Sequence, residues 1–316
     1  MLKKLLAAIS LIAVLFTAAG CSQKAGDASK GVRVVCSIAP LFDWTRQITE
    51  GTGITDLKLI IGNGTDLHSF QPSAADIISI KNADVLIYVG GESDGWIRDA
   101  LKETGNKNQK AVCLMDVLKD TIVEEEVVEG MQGEDKEEEG EGPEYDEHVW
   151  MSLRLASKSC KAIEEALSAV SSKDAEKLKA NLENYTAKLT SLDRQYEEMV
   201  RSARLDTMIV CDRYPFRYLA DDYKIKYSAA FAGCSAETEA SFETVKFLAD
   251  KVRSLDVKTV LTIENSDGKL AKTVIGTSGK SDVKAGVLDS MQSAGKDLDY
   301  LSVMTRNLDV LKAALS

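Results

Sequence analysis

The chain has 316 residues, of which 44% are hydrophobic and 28% are charged, and its formal net charge at pH 7 is −11. This acidic balance argues against a nucleic-acid partner, because binding to phosphates requires a basic face. The length is sufficient for one large domain or for two modest lobes, each with its own core.

The N-terminus has the pattern of a signal peptide. A short basic start precedes an apolar run from Leu5 to Ala19, which is shorter than the ~20 residues of a membrane-spanning helix. The run continues into Ala18-Ala-Gly-Cys21, which resembles a bacterial lipobox. We therefore expect residues 1–20 to be removed and Cys21 to carry a lipid, with a plain secretory signal as the alternative. Residues 21–31 are rich in Ser, Gly, Lys and Asp, which predicts a flexible tether outside the cytoplasmic membrane.

The cysteines do not predict a disulfide framework. Beyond Cys21 their number is odd and they are widely scattered. We interpret most of them as small buried apolar residues. Their positions are Cys36, Cys113, Cys160, Cys211 and Cys234.

From Val32 onward, predicted strands alternate with predicted helices. Short apolar runs that end at Gly, Ser or Pro indicate strands, and the pair Ser73 and Asp76 has the spacing of a helix capping box. The alternation predicts a parallel sheet with right-handed crossovers, and hence an N-terminal α/β lobe over residues 32–170. The predicted strands are 32–36, 57–61, 84–89 and 110–114.

An acidic segment, residues 124–147, interrupts this alternation. It combines runs of Glu and Asp with several glycines and cannot bury enough apolar surface to fold alone. We interpret it as an acidic loop within the N-terminal lobe. Two readings stay open, because the loop is either a merely solvated insert or a weak collector of cations for a nearby site.

The clearest periodic pattern in the chain indicates one long helix. Its apolar residues recur at alternating spacings of three and four, which places them on one helical face. The stripe is too short for an extended coiled coil, so we predict that residues 171–203 form a single rigid helix that links two lobes. The residues of the stripe are Ala175, Leu178, Leu182, Tyr185, Leu189, Leu192, Tyr196 and Met199.

After this helix the alternation of strands and helices restarts. It predicts a C-terminal α/β lobe over residues 204–316. The predicted fold class is therefore α/β, with two lobes that each hold a small, mostly parallel sheet flanked by helices. The predicted strands of the second lobe are 207–211, 226–230, 258–263 and 283–288.

The chain has only two histidines, His68 and His148. Neutral imidazole is a common ligand of transition metals. In open α/β sheets, ligands bind beyond the carboxyl ends of the strands. His68 lies in a loop after a predicted strand, and Asp212 and Asp289 directly follow predicted strands. We therefore expect these side chains and His148 to meet in a cleft between the lobes.

Several segments resemble the metal-binding receptors of bacterial ABC importers, the group specific for zinc and manganese. Asp66-Leu-His-Ser-Phe-Gln-Pro-Ser-Ala-Ala-Asp76 is similar to a D-x-H-x-F/Y-x-P-S-x-x-D segment of that family. Asp146-Glu-His-Val-Trp150 is similar to its D-P-H-V-W, with Glu147 in place of Pro. The resemblance spans nearly the whole chain beyond the leader, and it implies two α/β lobes joined by one long helix with a metal between them.

The resemblance implies His68, His148 and Asp289 as metal ligands. The family's third ligand, a His or Glu followed by x-A-F-x-Y, falls on Arg213 in this chain, and a guanidinium cannot bind a cation. We expect Asp212, one residue earlier, to replace it. The alternatives are the thiolate of Cys211, a water molecule or a carboxylate from elsewhere.

Two further acidic residues are assigned supporting roles. Glu264 resembles a family glutamate that lies near the site. Asp66 either orients His68, as the outer partner that a metal-bound imidazole needs, or is an ordinary turn residue. Two imidazoles with carboxylates suit zinc and also manganese. We favour zinc, because the acidic loop lies where zinc receptors often carry a His-rich loop.

The expected function is extracytoplasmic binding of a divalent metal ion, zinc first and manganese second, and its delivery to an ABC transporter permease. The resemblance implies a lipid-anchored monomer that is not an enzyme. The alternative is a surface adhesin in which the metal is structural. A zinc hydrolase is disfavoured, because no motif supplies a base beside an open coordination position.

Overall fold

The computed structural model describes residues 31–62, 64–103, 106–132, 144–235 and 239–316. The predicted signal peptide 1–20, the lipidation site Cys21 and nearly all of the tether lie outside the described residues, as does the middle of the acidic loop. In the described ranges, no helix combines the length and apolarity needed to cross a bilayer.

The N-terminal sheet contains four parallel strands in the order β2-β1-β3-β4. Strand β3 is buried at every position, because it lies inside the sheet with both faces covered. The helices of this half pack around the sheet. The strands are β1 (Arg33–Cys36), β2 (Asp56–Leu59), β3 (Val85–Tyr88) and β4 (Lys110–Cys113), and the helices are α1 (Ala39–Thr49), α2 (Ala74–Asn82), α3 (Trp96–Lys102), α4 (Leu114–Val117) and α5 (Leu153–Val170).

The predicted capping box at the start of α2 is confirmed. The backbone N–H of Asp76 donates to Ser73 Oγ at 3.3 Å, and the backbone N–H of Ser73 donates to the Asp76 carboxylate at 3.1 Å. This reciprocal pair satisfies backbone donors that the helix start would otherwise leave unpaired. It also fixes the end of the loop that carries His68.

The linking helix is α6 (Ala175–Ser202), which is about 42 Å long at ~1.5 Å per residue. Its buried face includes most of the predicted apolar stripe. Near its start, Asn181 Nδ2 donates to the backbone oxygens of Ile48 and Glu50 at 2.9 and 2.8 Å. Near its end, the Tyr196 hydroxyl donates to Met304 O at 2.6 Å. The helix is therefore tied to both halves of the molecule.

The C-terminal sheet repeats the plan of the first, with four parallel strands in the order β6-β5-β7-β8. Strand β5 continues to Tyr214, and its register with β6 shifts between Val210 and Arg213. Asp212 therefore lies within the strand, where the sequence pattern indicates that the strand has already ended. The strands are β5 (Thr207–Tyr214), β6 (Lys226–Ala232), β7 (Thr259–Thr262) and β8 (Lys284–Val287), and the helices are α7 (Arg217–Tyr223), α8 (Phe242–Ser254), α9 (Lys269–Ser278) and α10 (Tyr300–Ala314).

The predicted fold class is confirmed: two parallel-sheet α/β lobes are joined by one long helix. The two described ends of the acidic loop pair with each other, and one of them reaches the C-terminal sheet. Glu124 forms an antiparallel bridge with Tyr145, and Gln132 forms a parallel bridge with Phe231 of β6. The first described part of the loop thus contacts the C-terminal sheet at Phe231. The exact lobe boundaries, 32–170 and 204–316, stay predictions.

Candidate metal centre

His68 lies in a short 3-10 turn, Leu67–Ser69, in the loop between β2 and α2. Asp66 Oδ1 accepts from the backbone N–H of His68 at 3.0 Å, so Asp66 caps this turn. The ring nitrogen Nδ1 of His68 faces a different group, Ser93 Oγ, at 2.8 Å. Asp66 was expected either to orient the His68 ring or to act as a turn residue. Its contact with the backbone N–H of His68 agrees with the second role.

His148 is fully buried and immediately precedes the 3-10 turn Val149–Met151. Asp146 Oδ1 accepts from the backbone N–H of His148 at 2.8 Å and lies 2.9 Å from its ring Nδ1. A carboxylate at this distance fixes the ring as an Nδ1–H tautomer and leaves Nε2 as the metal-binding nitrogen. The sequence segment Asp146-Glu-His148 thus contains a candidate ligand together with the carboxylate that orients its ring.

The two imidazoles face each other through their Nε2 atoms, which are 3.3 Å apart. Two Zn–N bonds of about 2.0–2.1 Å at a tetrahedral angle place their nitrogen atoms about 3.3 Å apart. Each ring also has its Nδ1 beside a separate polar partner, as metal-binding histidines usually do. The pair therefore has the separation and the orientation that a shared tetrahedral ion requires.

Glu147 and Ser93 form a second layer beneath His68, and neither was among the residues expected at the site. Glu147 is fully buried. Its Oε1 accepts a short hydrogen bond from Ser93 Oγ and lies 3.4 Å from His68 Nδ1. Glu147 stands where the related motif has proline. This departure was the only signal of its role.

The Sγ atom of Cys234 completes a set of three potential ligands. The ligand atoms of His68, His148 and Cys234 all lie within 4.8 Å of one another, and this is the one group of three His, Cys, Asp or Glu side chains of that kind in the described residues. Cys234 follows the carboxyl end of β6, where ligands are expected in such sheets. That placement was available from the sequence, but the scattered cysteines pointed to a packing role.

Gln292 also reaches the histidine pair. Its amide nitrogen lies 2.6 Å from His148 Nε2 and 3.2 Å from His68 Nε2. Its side chain is only 3% exposed. The sequence resemblance drew attention to Asp289, three residues earlier, and the intervening turn is what places Gln292 in the site.

The loop that carries Gln292 is held by Glu264, at the end of β7. Its carboxylate accepts from the backbone N–H groups of Ser290 and Gln292 at 2.7 and 3.0 Å and from Ser290 Oγ at 2.7 Å. Burial, followed by the charge of Asp289, raises the pKa of Glu264. Glu264 was expected to have a supporting role, and its hydrogen bonds hold the loop that carries Gln292.

Asp212 and Asp289 are absent from the group of three ligand atoms found in the described part of the chain. Asp212 Oδ1 accepts from the backbone N–H of Arg213 at 3.0 Å, and Asp289 Oδ1 accepts from that of Met291 at 2.9 Å. Cys211 is buried within an apolar cluster of the C-terminal lobe. The structure brings the two histidines together, and metal binding by Asp212 or Asp289 stays a prediction.

Arg213, which occupies the position of the family's third ligand, forms an ion pair across the cleft. Its guanidinium donates to Asp66 Oδ2 at 2.5 Å. Burial opposes the charge of Asp66, but the hydrogen bond and the charge of Arg213 outweigh this and lower the pKa of the carboxyl. The pair ties the strand β5 to the turn that carries His68.

The electrostatic surroundings shift the pKa values of the two histidines in opposite directions. Burial and the neighbouring His148 lower the pKa of His68 to about 3. Burial also opposes the charge of His148, but Asp146 and Glu147 outweigh it and raise the pKa of His148. Burial raises the pKa of Glu147 to about 7. A proton on the pair therefore belongs to His148, and a cation that binds both rings must displace it.

A cavity of about 1020 Å³ opens beside the pair, at the carboxyl ends of the C-terminal strands. Most of its charged lining is acidic, which favours cations over anions. His68 and Gln292 belong both to the cavity wall and to the histidine site, so the site is accessible from this side. The charged lining residues are Asp66, Asp212, Arg213, Glu239, Glu264, Asp267 and Lys269.

A family model and the similar proteins of known name point to the same family. A family model described as ZnuA, zinc-uptake complex component A, periplasmic, matches residues 34–314. The zinc-binding lipoprotein AdcA of Streptococcus pneumoniae strain R6 is 31% identical over 317 residues, which cover 98% of this chain and 61% of AdcA. The high-affinity zinc uptake system protein ZnuA of Bacillus subtilis is 29% identical, with 96% of this chain and 94% of that protein covered.

Solved structures share the fold. The Zn(II)-bound ZnuA-like domain of S. pneumoniae AdcA has 27% identity and a TM-score of 0.71, covering 90% of this chain and 99% of that domain. The metal-dependent lipoprotein YcdH of B. subtilis has 27% identity and a TM-score of 0.72, with the same coverage. This chain spans 61% of the length of the AdcA relatives. The predicted resemblance is confirmed, and the chain belongs to the ZnuA family of periplasmic zinc-uptake complex components.

Proposed function

We propose that this chain is a receptor outside the cytoplasmic membrane that binds zinc through His68 and His148 and delivers it to an ABC transporter permease. The observation that carries the proposal is the geometry of the histidine pair. The two Nε2 atoms are 3.3 Å apart, which fits two Zn–N bonds at a tetrahedral angle. The similarity to AdcA, a zinc-binding lipoprotein, and to B. subtilis ZnuA, a zinc uptake system protein, supports the same ion.

Zinc is proposed ahead of manganese because of the donors that surround the pair. Imidazole and thiol groups suit zinc, whereas manganese prefers carboxylate, carbonyl and water oxygens. In the described residues, the carboxylates nearest to the rings contact Nδ1 atoms, which are the outer nitrogens of the pair. Manganese therefore remains the second choice.

Both lobes contribute to the site, which suggests how binding is coupled to docking. His68 comes from the N-terminal half, and Gln292 comes from the C-terminal half beyond β8. Helix α6 is tied to both halves, so we propose that the lobes move only modestly when the ion binds or leaves. The permease would recognise the closed form and release the ion at the membrane.

The remaining expectations complete the proposal. We propose a lipid anchor at Cys21 and a monomeric receptor without enzymatic activity, in keeping with a family of uptake-complex components. The adhesin alternative has no specific support. The solved structures described as laminin-binding proteins are at most 23% identical to this chain and show its fold alone.

The direct test is a competition titration of the purified protein with zinc and with manganese against a chromophoric chelator. We expect tight binding of zinc and weaker binding of manganese. Because a ligand that binds only the folded state stabilises it, free zinc at 100 times Kd should raise the free energy of unfolding by about 2.7 kcal/mol. A double variant, His68→Ala with His148→Ala, is the control and should show neither effect. Failure of the protein to bind zinc at micromolar concentration would remove the basis of the proposal.

A deletion strain tests the transport role. We expect poor growth under zinc limitation and rescue by the intact chain, but no rescue by the double histidine variant. If the strain takes up zinc normally and loses attachment to surfaces, the adhesin alternative would replace the transport role.

A further inference from the structure

Two imidazoles alone do not complete a structural zinc site, which is almost always four-coordinate. In the described residues, the Cys234 sulfur is the one further Cys, Asp or Glu atom that lies within 4.8 Å of both ring nitrogens. The guanidinium of Arg213 is engaged by Asp66 and cannot act as a ligand. Cys234, which the family pattern does not indicate, is therefore a candidate for a further donor.

The backbone on either side of Cys234 is built to hold its side chain at the pair. The backbone N–H of Cys234 donates to Glu125 Oε1 at 3.0 Å, so the acidic loop reaches across to fix this residue. The preceding Gly233 is closely packed, since a Cβ there would lie 2.9 Å from Tyr214 O and 3.1 Å from the ring atom Cε1 of His148. A larger residue at 233 would therefore force the loop that carries Cys234 to shift.

The amide oxygen of Gln292 provides independent evidence that a ligand binds at this site. Its side chain is 3% exposed, and Oε1 has no hydrogen-bond partner among the described residues, although buried amide oxygens are normally paired. Its other terminal atom touches both imidazoles at 2.6 and 3.2 Å. A half-turn of the amide group exchanges the nitrogen and the oxygen, whose positions are assigned from the surrounding hydrogen bonds. It would then present the oxygen to a cation.

The backbone that delivers Gln292 is strained. Met291 adopts φ = 62°, a left-handed conformation that is uncommon for residues other than glycine, asparagine and aspartate. Such conformations persist where the surrounding structure enforces them, often at ligand sites. Here the enforcing contacts are the Glu264 hydrogen bonds to Ser290 and Gln292.

We propose that Cys234 binds the ion as a thiolate and Gln292 binds it through its amide oxygen, so that the centre is a His68-His148-Cys234-Gln292 site selective for zinc over manganese. This inference rests on the proposed function, because it assumes that the histidine pair binds a metal. The S–H bond breaks as the metal–sulfur bond forms, and the proton passes to solvent. Thiolate is a soft donor that favours zinc, whereas manganese favours oxygen donors.

Cobalt(II) binding tests the ligand set. A thiolate ligand gives cobalt an intense sulfur-to-metal charge-transfer band in the near ultraviolet, which a site of nitrogen and oxygen donors lacks. We expect this band in the native protein and in Cys211→Ser, the matched control for a buried cysteine. We expect its loss in Cys234→Ser. If the native protein binds cobalt without the band, Cys234 is not a thiolate ligand and the proposal is wrong. This outcome does not depend on whether the variants fold.

Metal selectivity provides the second readout. Loss of the thiolate should weaken zinc binding by more than the roughly 10–100-fold that loss of an outer partner costs, while Cys211→Ser should leave it unchanged. Cys234→Asp replaces sulfur by oxygen and should shift the ratio of zinc to manganese affinities toward manganese. An unchanged ratio in Cys234→Asp would overturn the inferred selectivity.

The outcomes separate this inference from the proposed function. If native protein binds zinc tightly and Cys234→Ser binds it equally well, the histidine receptor stands and the Cys234 ligand falls. If native protein binds no zinc, both fall. A loss of affinity in Gln292→Ala, with retention in Gln292→Glu, would support Gln292 as an oxygen donor. Equal affinities in all three forms would exclude it.

Discussion

The two sides of the metal centre are built differently. On the N-terminal side, both imidazoles are held before an ion arrives, because Ser93 and Asp146 face their Nδ1 atoms. On the C-terminal side, Cys234 and Gln292 lie on loops beyond strand ends, and Gln292 lines a cavity of about 1020 Å³. We infer from this comparison that the two sides have different roles. The preorganised N-terminal side provides most of the affinity for a metal ion, and the C-terminal loops determine which metal is preferred and how it is released.

The two sides are nevertheless linked through buried hydrogen bonds. Trp150 Nε1 donates to Ser290 O at 2.8 Å, two residues before Gln292. The hydroxyl of Tyr300, which begins α10, donates to Trp150 O at 2.6 Å. Because Trp150 lies two residues after His148 and is fully buried, a shift of the Gln292 loop is transmitted to the histidine segment.

The largest effect is expected from removal of one histidine. His148→Ala or His68→Ala should weaken zinc binding by about 1,000-fold, or about 4 kcal/mol, because each removes a proposed ligand from the rigid side. Competition titration measures the affinity, and thermal unfolding without metal serves as the control for folding. A loss below tenfold in either variant would mean that the rigid side does not determine binding.

A pH effect on stability is expected from Asp94, which follows Ser93 on the rigid side. Its carboxylate accepts from the backbone N–H groups of Val89 and Gly90, each at 2.8 Å, and burial raises its pKa from 3.8 to about 6. The folded state therefore binds the proton more tightly than the unfolded state. The free energy of unfolding should fall as pH rises from 4 to above 6, by up to about 3 kcal/mol.

Denaturant unfolding across this pH range measures the Asp94 effect. Asp94→Asn cannot titrate and should show a flatter pH dependence than the native protein, even though its overall stability is lower. Identical slopes for the two proteins would assign the pH dependence to other groups.

A matched pair of supporting residues compares the two sides directly. Asp146→Asn keeps an acceptor for the His148 ring but removes its charge, and we expect it to weaken zinc binding by roughly 10–100-fold. Glu264→Gln perturbs the loop of Gln292, and we expect a loss below about tenfold, because a loop can readjust. Titration of both variants with zinc measures the two losses of affinity. A larger loss in Glu264→Gln than in Asp146→Asn would mean that the C-terminal loop contributes more to zinc affinity than the N-terminal side.

The smallest effect is expected from the carboxylates outside the group of ligand atoms. Asp212→Ala and Asp289→Asn should change zinc affinity by less than about threefold, or about 0.6 kcal/mol, because their carboxylates accept from neighbouring backbone N–H groups. A loss of more than tenfold in Asp212→Ala would restore the ligand role that the sequence predicts for it.

The sequence by itself determined the architecture and identified the two histidines of the candidate site. Alternating apolar runs specify two parallel sheets, and the spacing of three and four residues specifies α6, because these patterns depend only on neighbours along the chain. The two histidines were identifiable because the chain has no others. The Asp146-Glu-His148 segment even carries the carboxylate that orients its own ligand.

Only the tertiary structure decided which other side chains converge on the pair. Cys234 and Gln292 lie far from His68 in sequence, and their approach depends on the bonds of Glu125 and Glu264 to their backbones. Strand β5 runs three residues past its predicted end, so Asp212 is held within it. Such details follow from strand register and turn geometry, which long-range packing sets and local sequence patterns do not encode.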